Sequence, residues 1–211
     1  MPQSNHIGFI GLGNMGGPIA LRLLRAGFPM TVLDLDREKM RQLLREGASA
    51  GSSPAGVAER ATIVIASLQA NAVEDVALGE QGIVKGGKGG LVFVDLSSTE
   101  PDLAVRVSSA LREHDIEMLD APVSGADIGA TNGALTIFVG GSYETYQRSL
   151  AVLQYVGRTV TYLGKAGNGQ IGKIINEMMQ AQSALRTVVE TQARTQGMMA
   201  DLVRGTANTL S

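Results

Sequence analysis

Lys173 is the only charged residue in the stretch GQIGKIIN, and Asn176 follows it one helical turn later. An ammonium group stabilises negative charge on an oxygen and donates a proton to it, whereas a deprotonated amine accepts one. Free lysine titrates at about 10.4, so acid-base work calls for desolvation or a nearby cation that lowers its pKa. Ile171, Ile174 and Ile175 would supply the desolvation. From the spacing alone, an ordinary solvated lysine on a helix stays open as the alternative.

A glycine-rich turn near the amino terminus is the second pattern with chemical meaning. Gly11, Gly13 and Gly16 have the G-x-G-x-x-G spacing, between an apolar run and a helical stretch. Such a turn lets a pyrophosphate approach the backbone at the N-terminus of the helix. We assign cofactor contacts to its six residues, Gly11, Leu12, Gly13, Asn14, Met15 and Gly16. The alternative is a glycine-rich turn in an α/β domain that binds no nucleotide.

Asp34 stands at the end of the second apolar run, where a carboxylate would bind the ribose hydroxyls of a dinucleotide. The same carboxylate would repel a 2′-phosphate, so the sequence favours NAD as the cofactor. Arg37 could bind such a phosphate, and NADP therefore stays open. Leu35, next to Asp34, is the further cofactor contact expected here.

The elements that must position these residues alternate between short apolar runs and longer helical stretches. This alternation predicts an α/β fold with a doubly wound, Rossmann-type parallel sheet. The predicted strands are HIGFIG, MTVLDL, TIVIASL, GLVFVDLSS, EMLDAPVSG, ALTIFVGG and VTYLG. The predicted helices are GGPIALRLLRAG, REKMRQLLREG, EPDLAVRVSSALREHD, YETYQRSLAVLQYVG and a long stretch over 168–197. We expect a short further helical segment after that stretch.

Composition excludes several classes of function. The 211 residues carry a net charge of −2 and only 4% are aromatic, so nucleic acid is not an expected partner. The chain has no cysteine, and its two histidines stand far apart, so no metal site is expected. No apolar run is long enough for a membrane span, and a structured motif begins within a few residues of the first. We therefore expect a cytoplasmic protein without membrane contact.

Five segments together resemble one enzyme family in order along the chain. They are IGFIGLGNMGGPIALRLLRAG, VALGEQGIVKGG, VDLSSTEP, DAPVSGADIGATNGALTIFVGG and GNGQIGKIINE. The sequence resembles the β-hydroxyacid dehydrogenases, which include 3-hydroxyisobutyrate dehydrogenase and tartronate semialdehyde (2-hydroxy-3-oxopropionate) reductase. The resemblance implies reversible hydride transfer between a nicotinamide and a small 3-hydroxy acid or its semialdehyde. The segment VALGEQGI is more similar to the tartronate semialdehyde reductases.

The resemblance also implies roles for single residues in the substrate site. Ser124 and Gly125 would hold the substrate carboxylate through a hydroxyl and a backbone N–H group. Ala126 completes that loop, at a position where the family usually has a second glycine. Lys173 takes the position of the catalytic lysine, and Asn176 would orient both substrate and lysine.

On the cofactor side, the resemblance places Ser98 beside the nicotinamide ribose. Leu68 is assigned as a further cofactor contact. Here the chain departs from the family, because Ser67 and Leu68 stand where Leu-Pro is common, and a rigid turn is therefore not expected.

The carboxyl-terminal part sets the domain prediction. We predict a dinucleotide-binding domain over 1–164, followed over 165–211 by a long helix and the beginning of an all-helical domain that is truncated relative to the family. A lone long helix cannot bury its apolar face, so we expect a homo-oligomer or a fragment of a longer protein. Two alternatives stay open, namely a non-catalytic dinucleotide-binding oligomerisation module and a relative of the imine reductases or 6-phosphogluconate dehydrogenases.

Overall fold

The computed structural model describes residues 5–125, 130 and 132–209, with side chains described up to residue 192. The chain divides into two units, Met1–Lys173 and Ile174–Ser211. The first is an α/β unit, and the described part of the second belongs to one long helix. The boundary expected at residues 164 and 165 stays a prediction.

The first unit is built on a sheet of six parallel strands. Its spatial order is β3-β2-β1-β4-β5-β6, so the chain moves outward from β1 in one direction and then returns to extend the sheet from β1 in the other. The strands are β1 (Ile7–Ile10), β2 (Met30–Leu33), β3 (Ser49–Ala50), β4 (Ile63–Ala66), β5 (Val92–Asp95) and β6 (Glu117–Asp120). This order confirms the predicted Rossmann-type fold.

Both faces of the sheet are buried under helices. Along β4, Ile63 and Ile65 join one apolar cluster, while Val64 and Ala66 join the other. Because successive side chains of a strand point to opposite faces, a short run that is apolar at every position fits a strand covered on both sides. This explains why the central strands lack the polar alternation of a half-exposed sheet.

The helices of the first unit have the terminal signals that the sequence indicated. The helix after β1 ends before Gly27, whose φ of 92° suits glycine. Pro101 lies in the first turn of the helix that follows β5. The helices are α1 (Gly16–Arg25), α2 (Arg37–Arg45), α3 (Pro54–Ala58), α4 (Val73–Leu78), α5 (Ile83–Gly86), α6 (Pro101–Arg112) and α7 (Tyr143–Val156).

A second, three-stranded sheet follows β6. It consists of β7 (Val123–Ser124), β8 (Thr136–Val139) and β9 (Thr159–Tyr162), with β7 antiparallel and β9 parallel to β8. The single strand predicted over EMLDAPVSG is wrong, because the chain leaves the first sheet after Asp120 and β7 begins beyond Pro122. Proline has no N–H group to donate to a sheet, which explains the break.

The long helix α8 (Asn168–Thr209) differs from its prediction in length. We expected it to end near Gly197 with a short follower, but the helix continues through this glycine. A glycine inside a helix costs only about 1 kcal/mol relative to alanine, so it does not necessarily end one. Four short elements, β3, α3, α4 and α5, were not predicted.

The second unit presents apolar side chains to solvent. Met178, Met179 and Leu185 are each about two-thirds exposed, at 67%, 65% and 64%. The predicted difficulty of burying this apolar surface is therefore present in the chain. Within the described residues, no helix combines the length and apolar character that a membrane crossing requires.

Candidate active site

The glycine-rich turn lies between β1 and α1, at the carboxyl end of the parallel sheet. Gly11 has a φ of 89°, and a Cβ atom there would lie 2.3 Å from the Ser67 carbonyl oxygen. A Cβ atom at Gly16 would lie 2.0 Å from the Gly11 carbonyl oxygen. By contrast, a Cβ atom at Gly13 would meet nothing within 4 Å. The turn is therefore tightly packed on the protein side and open at Gly13.

The open side of the turn lies at the N-terminus of α1. The first turn of α1 has no side-chain cap, and the helix presents its N-terminus beside Gly13. Unpaired N–H groups and the helix dipole favour an anion at such an end. Asn14 is exposed, Met15 is half-buried and Leu12 is buried beneath the turn. The six residues assigned from the motif therefore form one loop, although they differ in their access to a ligand.

Asp34 forms a hydrogen bond with that loop. The Leu12 backbone N–H donates to Asp34 Oδ2 over 2.6 Å, and the Asp36 N–H donates to Asp34 Oδ1 over 2.8 Å. Lys39 Nζ lies 3.8 Å from the same carboxylate. Leu35 is fully exposed beside it. Lys39 therefore lies within ion-pair distance of Asp34, whereas the contact of Arg37 with a 2′-phosphate stays a prediction.

Leu68 follows β4 and lies against the glycine-rich turn. Its side chain would come within 2.9 Å of a Cβ atom at Gly11. The Leu68 N–H donates to Ser97 Oγ over 2.9 Å, so a side-chain hydrogen bond from the end of β5 holds this turn without a proline. Ser97 is buried, whereas the predicted contact residue Ser98 is exposed. The turn is thus fixed by a residue that sequence analysis did not select.

Lys173 lies beside the strand that carries the predicted substrate loop. Its Nζ donates to the Val123 carbonyl oxygen over 3.0 Å, and Ser124 follows on the same strand, β7. Gly125 has a φ of 137°, which favours glycine. Ala126 is outside the described residues. The structure therefore brings together Lys173 and the described part of the APVSG motif, which are about 50 residues apart in the chain.

The isoleucines near Lys173 and the neighbouring Asn176 differ in their exposure to solvent. Ile171 is 45% exposed and Lys173 is half-buried, and the desolvation of Lys173 by this isoleucine stays a prediction. Ile174 and Ile175 are also exposed, at 43% and 52%. Asn176 belongs to the second unit and is half-buried, and its predicted role stays a prediction.

Comparison with known proteins assigns the chain to a family. Residues 6–164 match the model of the NAD binding domain of 6-phosphogluconate dehydrogenase. A probable mitochondrial 3-hydroxyisobutyrate dehydrogenase from Dictyostelium discoideum is 38% identical over 84% of this chain, and the 3-hydroxyisobutyrate dehydrogenase of Pseudomonas aeruginosa is 39% identical over 82%. The chain belongs to the β-hydroxyacid dehydrogenase family. The resemblance noted in the sequence is confirmed.

A solved structure supports the same relationship for this β-hydroxyacid dehydrogenase family member. The 3-hydroxyisobutyrate dehydrogenase of Mycobacterium tuberculosis, in a structure with L-serine, superposes with a TM-score of 0.80 at 29% identity over 85% of this chain. The match covers 61% of that protein, and the chain spans 56% and 58% of the two curated relatives. The matched family model makes the first unit an NAD(P)-binding domain.

Two buried aspartates of this family member were missed by sequence analysis. Asp95 and Asp120 end the adjacent strands β5 and β6 and are paired in the sheet register. They are 0% and 1% exposed. Asp95 Oδ1 accepts a hydrogen bond from the Ser97 N–H over 3.0 Å, while its Oδ2 has no hydrogen-bond partner among the described residues. Burial raises the pKa of Asp95 to about 7, and the nearby Asp120 contributes to the rise.

Stability of this β-hydroxyacid dehydrogenase family member should therefore depend on Asp95 as the pH changes. Above the unfolded pKa of 3.8, the folded chain keeps a proton that the unfolded chain has lost, until the pH reaches about 7. Between these two pH values, the Asp95 contribution to the free energy of unfolding falls as the pH rises, by up to about 1.4 kcal/mol per pH unit. Asp95→Asn removes this titration, so its stability relative to wild type should rise from pH 4 to pH 7. Urea unfolding of both proteins across that range measures the difference, and a pH-independent difference would contradict the assignment.

The described part of this family member has no cluster of metal-binding side chains. No group of three or more histidine, cysteine, aspartate or glutamate side chains is placed there to hold a metal ion. The site consists instead of a glycine-rich loop at a helix N-terminus, a carboxylate at the end of β2 and an ammonium group beside β7. Such a set suits a dinucleotide and a small acid.

Proposed function

We propose that this protein transfers hydride between NAD(H) and a small acid that bears a 3-hydroxyl or 3-aldehyde group. The observation that carries the proposal is the 3.0 Å hydrogen bond from Lys173 Nζ to the Val123 carbonyl oxygen, on the strand β7 that also contains Ser124. This hydrogen bond holds an ammonium group at the strand whose motif resembles a carboxylate-binding loop.

The cofactor would be held at the carboxyl ends of β1, β2, β4 and β5. The pyrophosphate would lie at the open side of the loop at Gly13, and Asp34 would bind the adenosine ribose. Leu68 and the exposed Ser98 would contact the nicotinamide half. NADH, when bound, supplies the hydride. The geometry is that of an open α/β sheet that binds its ligand outside the carboxyl ends of its strands.

Residues of the chain would bind the substrate and transfer the proton. Ser124 and Gly125, with Ala126 beyond the described residues, would hold the carboxylate and so orient the carbonyl carbon toward the hydride donor. As the carbonyl oxygen gains negative charge, the Lys173 ammonium would stabilise it and donate a proton. In the oxidation direction the amine of Lys173 would accept the hydroxyl proton. Asn176 would orient both groups.

Two substrates are the leading candidates. The relatives are named 3-hydroxyisobutyrate dehydrogenases, which favours methylmalonate semialdehyde and its hydroxy acid. The segment VALGEQGI favours tartronate semialdehyde. Both substrates combine a carboxylate with an aldehyde one carbon removed, as a loop for the acid beside an ammonium group requires.

The direct test is the loss of nicotinamide absorbance when the chain is mixed with NADH and each of three acids, tartronate semialdehyde, methylmalonate semialdehyde and succinate semialdehyde. Turnover on a short semialdehyde supports the proposal, and the preferred acid identifies the substrate. Tight NADH binding without turnover on any of them would instead support a non-catalytic dinucleotide-binding module.

Asp34 should determine the choice between NAD and NADP. Asp34→Ser removes the carboxylate that repels a 2′-phosphate and leaves Lys39 beside it. The ratio of the NADPH Kd to the NADH Kd should fall roughly 10- to 100-fold, which corresponds to the loss of about 1.4–2.7 kcal/mol of like-charge repulsion. Fluorescence titration with both cofactors measures this ratio without turnover.

Asp36→Ser is the matched control for Asp34→Ser. Asp36 is exposed, and its side chain accepts a hydrogen bond from the Glu38 N–H at the start of α2, which a serine can also do. The control should keep the wild-type ratio. An unchanged ratio in Asp34→Ser would remove Asp34 as the selector.

The remaining expectations concern the assembled protein. A second copy of the chain is the proposed partner, because the second unit exposes apolar side chains such as Met178 and Leu185. The cytoplasmic location stays a prediction.

A further inference from the structure

Gln170 is a buried polar residue in the first turn of α8, one helical turn before Lys173. It is 2% exposed. Its Nε2 donates to the Ser97 carbonyl oxygen over 2.9 Å, and its Oε1 accepts from the Thr99 N–H over 3.1 Å. One amide group therefore satisfies a donor and an acceptor in the loop that follows β5. Leaving either group unpaired in this buried setting would cost free energy.

The same turn of α8 also forms hydrogen bonds with Asp120. Asp120 Oδ1 accepts from the Gly167 N–H over 2.8 Å, and its Oδ2 accepts from the Gln170 N–H over 3.1 Å. A carboxylate at a helix N-terminus satisfies backbone donors and interacts favourably with the helix dipole. Gly169 makes this close seating possible, because a Cβ atom there would lie 2.4 Å from the Asp120 carbonyl oxygen.

The loop that Gln170 holds belongs to the cofactor side of the site. Ser97 Oγ accepts the hydrogen bond from the Leu68 N–H, and Ser98 lies between the two backbone groups that contact Gln170. Residues 170 and 173 share a face of α8, since side chains three positions apart in a helix are neighbours. The amide thus connects the cofactor-side loop to the helical turn that carries the lysine.

We infer that Gln170 is a positioning residue that couples the Ser97–Thr99 loop to the lysine-bearing turn of α8. The inference rests on the proposed function, because the reaction requires the hydride donor and the Lys173 ammonium to face the same carbonyl group. A displacement of about 1 Å between such groups can cost roughly 100-fold in rate. Asp120 supports the same turn through its backbone.

Gln170→Met tests this role with nearly the same side-chain volume and no hydrogen bonds. In this variant kcat should fall roughly 10- to 100-fold, because the Ser97–Thr99 loop and the lysine-bearing turn are no longer held together. The KM for NADH should change little, because the glycine-rich turn stays in place. Exchange of the Thr99 amide hydrogen should accelerate about tenfold or more, because its acceptor is gone. Gln182→Met is the matched control, since Gln182 is exposed on the same helix, and it should change neither quantity.

Gln170→Glu supplies a second variant and a pH signature. An ionised carboxylate accepts from the Thr99 N–H but cannot donate to the Ser97 carbonyl oxygen, whereas the protonated form does both. Relative to wild type, kcat of Gln170→Glu should therefore improve as the pH is lowered. A side chain that only fills space would not produce this dependence.

Each result decides the inference. Unchanged Thr99 exchange in Gln170→Met would overturn it, as would a lower Tm with wild-type kcat per folded molecule. If the wild-type chain turns over no semialdehyde, the proposed function fails, and exchange alone decides the coupling. NADH must then slow exchange of the Ile171 amide in the wild type and not in Gln170→Met, and any other pattern overturns the inference.

Discussion

Replacing Lys173 with alanine is expected to lower kcat for semialdehyde reduction by roughly 100- to 10,000-fold, the range in which a general acid contributes to catalysis. The wild-type ammonium is held 3.0 Å from the Val123 carbonyl oxygen, beside the predicted carboxylate loop. Its loss removes both the proton donor and the positive charge that stabilises the oxyanion. The affinity for NADH should stay close to wild type, because the glycine-rich turn lies between β1 and α1, away from β7. Stopped-flow kinetics and NADH titration measure the two quantities.

Lys165→Ala is the matched control for the lysine variant. Lys165 is exposed in the loop before α8, so its removal should leave kcat unchanged. Added ethylamine should restore part of the activity of Lys173→Ala, since a small amine can occupy the vacated space and donate the proton. An alanine variant with wild-type kcat would show that another group protonates the product.

The second large effect concerns the glycine-rich turn. Gly16→Ala would place a methyl group 2.0 Å from the Gly11 carbonyl oxygen, so the turn must open or the helix must shift. Overpacking of this kind costs about 1–3 kcal/mol or more, and the displaced loop can no longer present its N–H groups to a phosphate. We expect a lower Tm together with the loss of measurable NADH binding.

Gly13→Ala separates cofactor binding from packing. A Cβ atom at Gly13 meets nothing within 4 Å, so the Tm without cofactor should stay at the wild-type value. The added methyl group would stand where the pyrophosphate approaches, and NADH affinity should fall roughly tenfold or more. Thermal unfolding and fluorescence titration of both glycine variants provide the comparison. Wild-type affinity in Gly13→Ala would mean that the pyrophosphate binds elsewhere.

The parts of the fold that were predicted correctly have strong local signals. The apolar runs of β1, β4 and β5 are buried on both faces, and the termini of α1 and α6 have a glycine and a proline that suit them. Each of these signals lies within a few residues of the element that it predicts. Short elements such as α3 have too few residues to show a period. The length of α8 was underestimated because glycine was treated as a stop signal.

The parts of the site that were missed depend on contacts between distant residues. Asp120 binds backbone N–H groups 47 and 50 residues later, and Gln170 contacts a loop more than 70 residues earlier. Nothing in the local sequence distinguishes these side chains from ordinary surface residues. Ser97 and Ser98 are adjacent and chemically identical, so only the fold shows which one is buried. Packing between elements, rather than spacing along the chain, determines these assignments.

The order of the six-stranded sheet has a consequence for synthesis on the ribosome. β1 is made first, yet it lies in the interior of the sheet, with Ile7 paired to Met30 on one side and to Ile63 on the other. Parallel pairing requires long loops to close before any contact compensates for the lost chain entropy. Until β4 has emerged, a nascent chain therefore presents β1 as an unpaired apolar edge, which other chains can extend. A ribosome that stalls between β3 and β4 would release a product prone to aggregation.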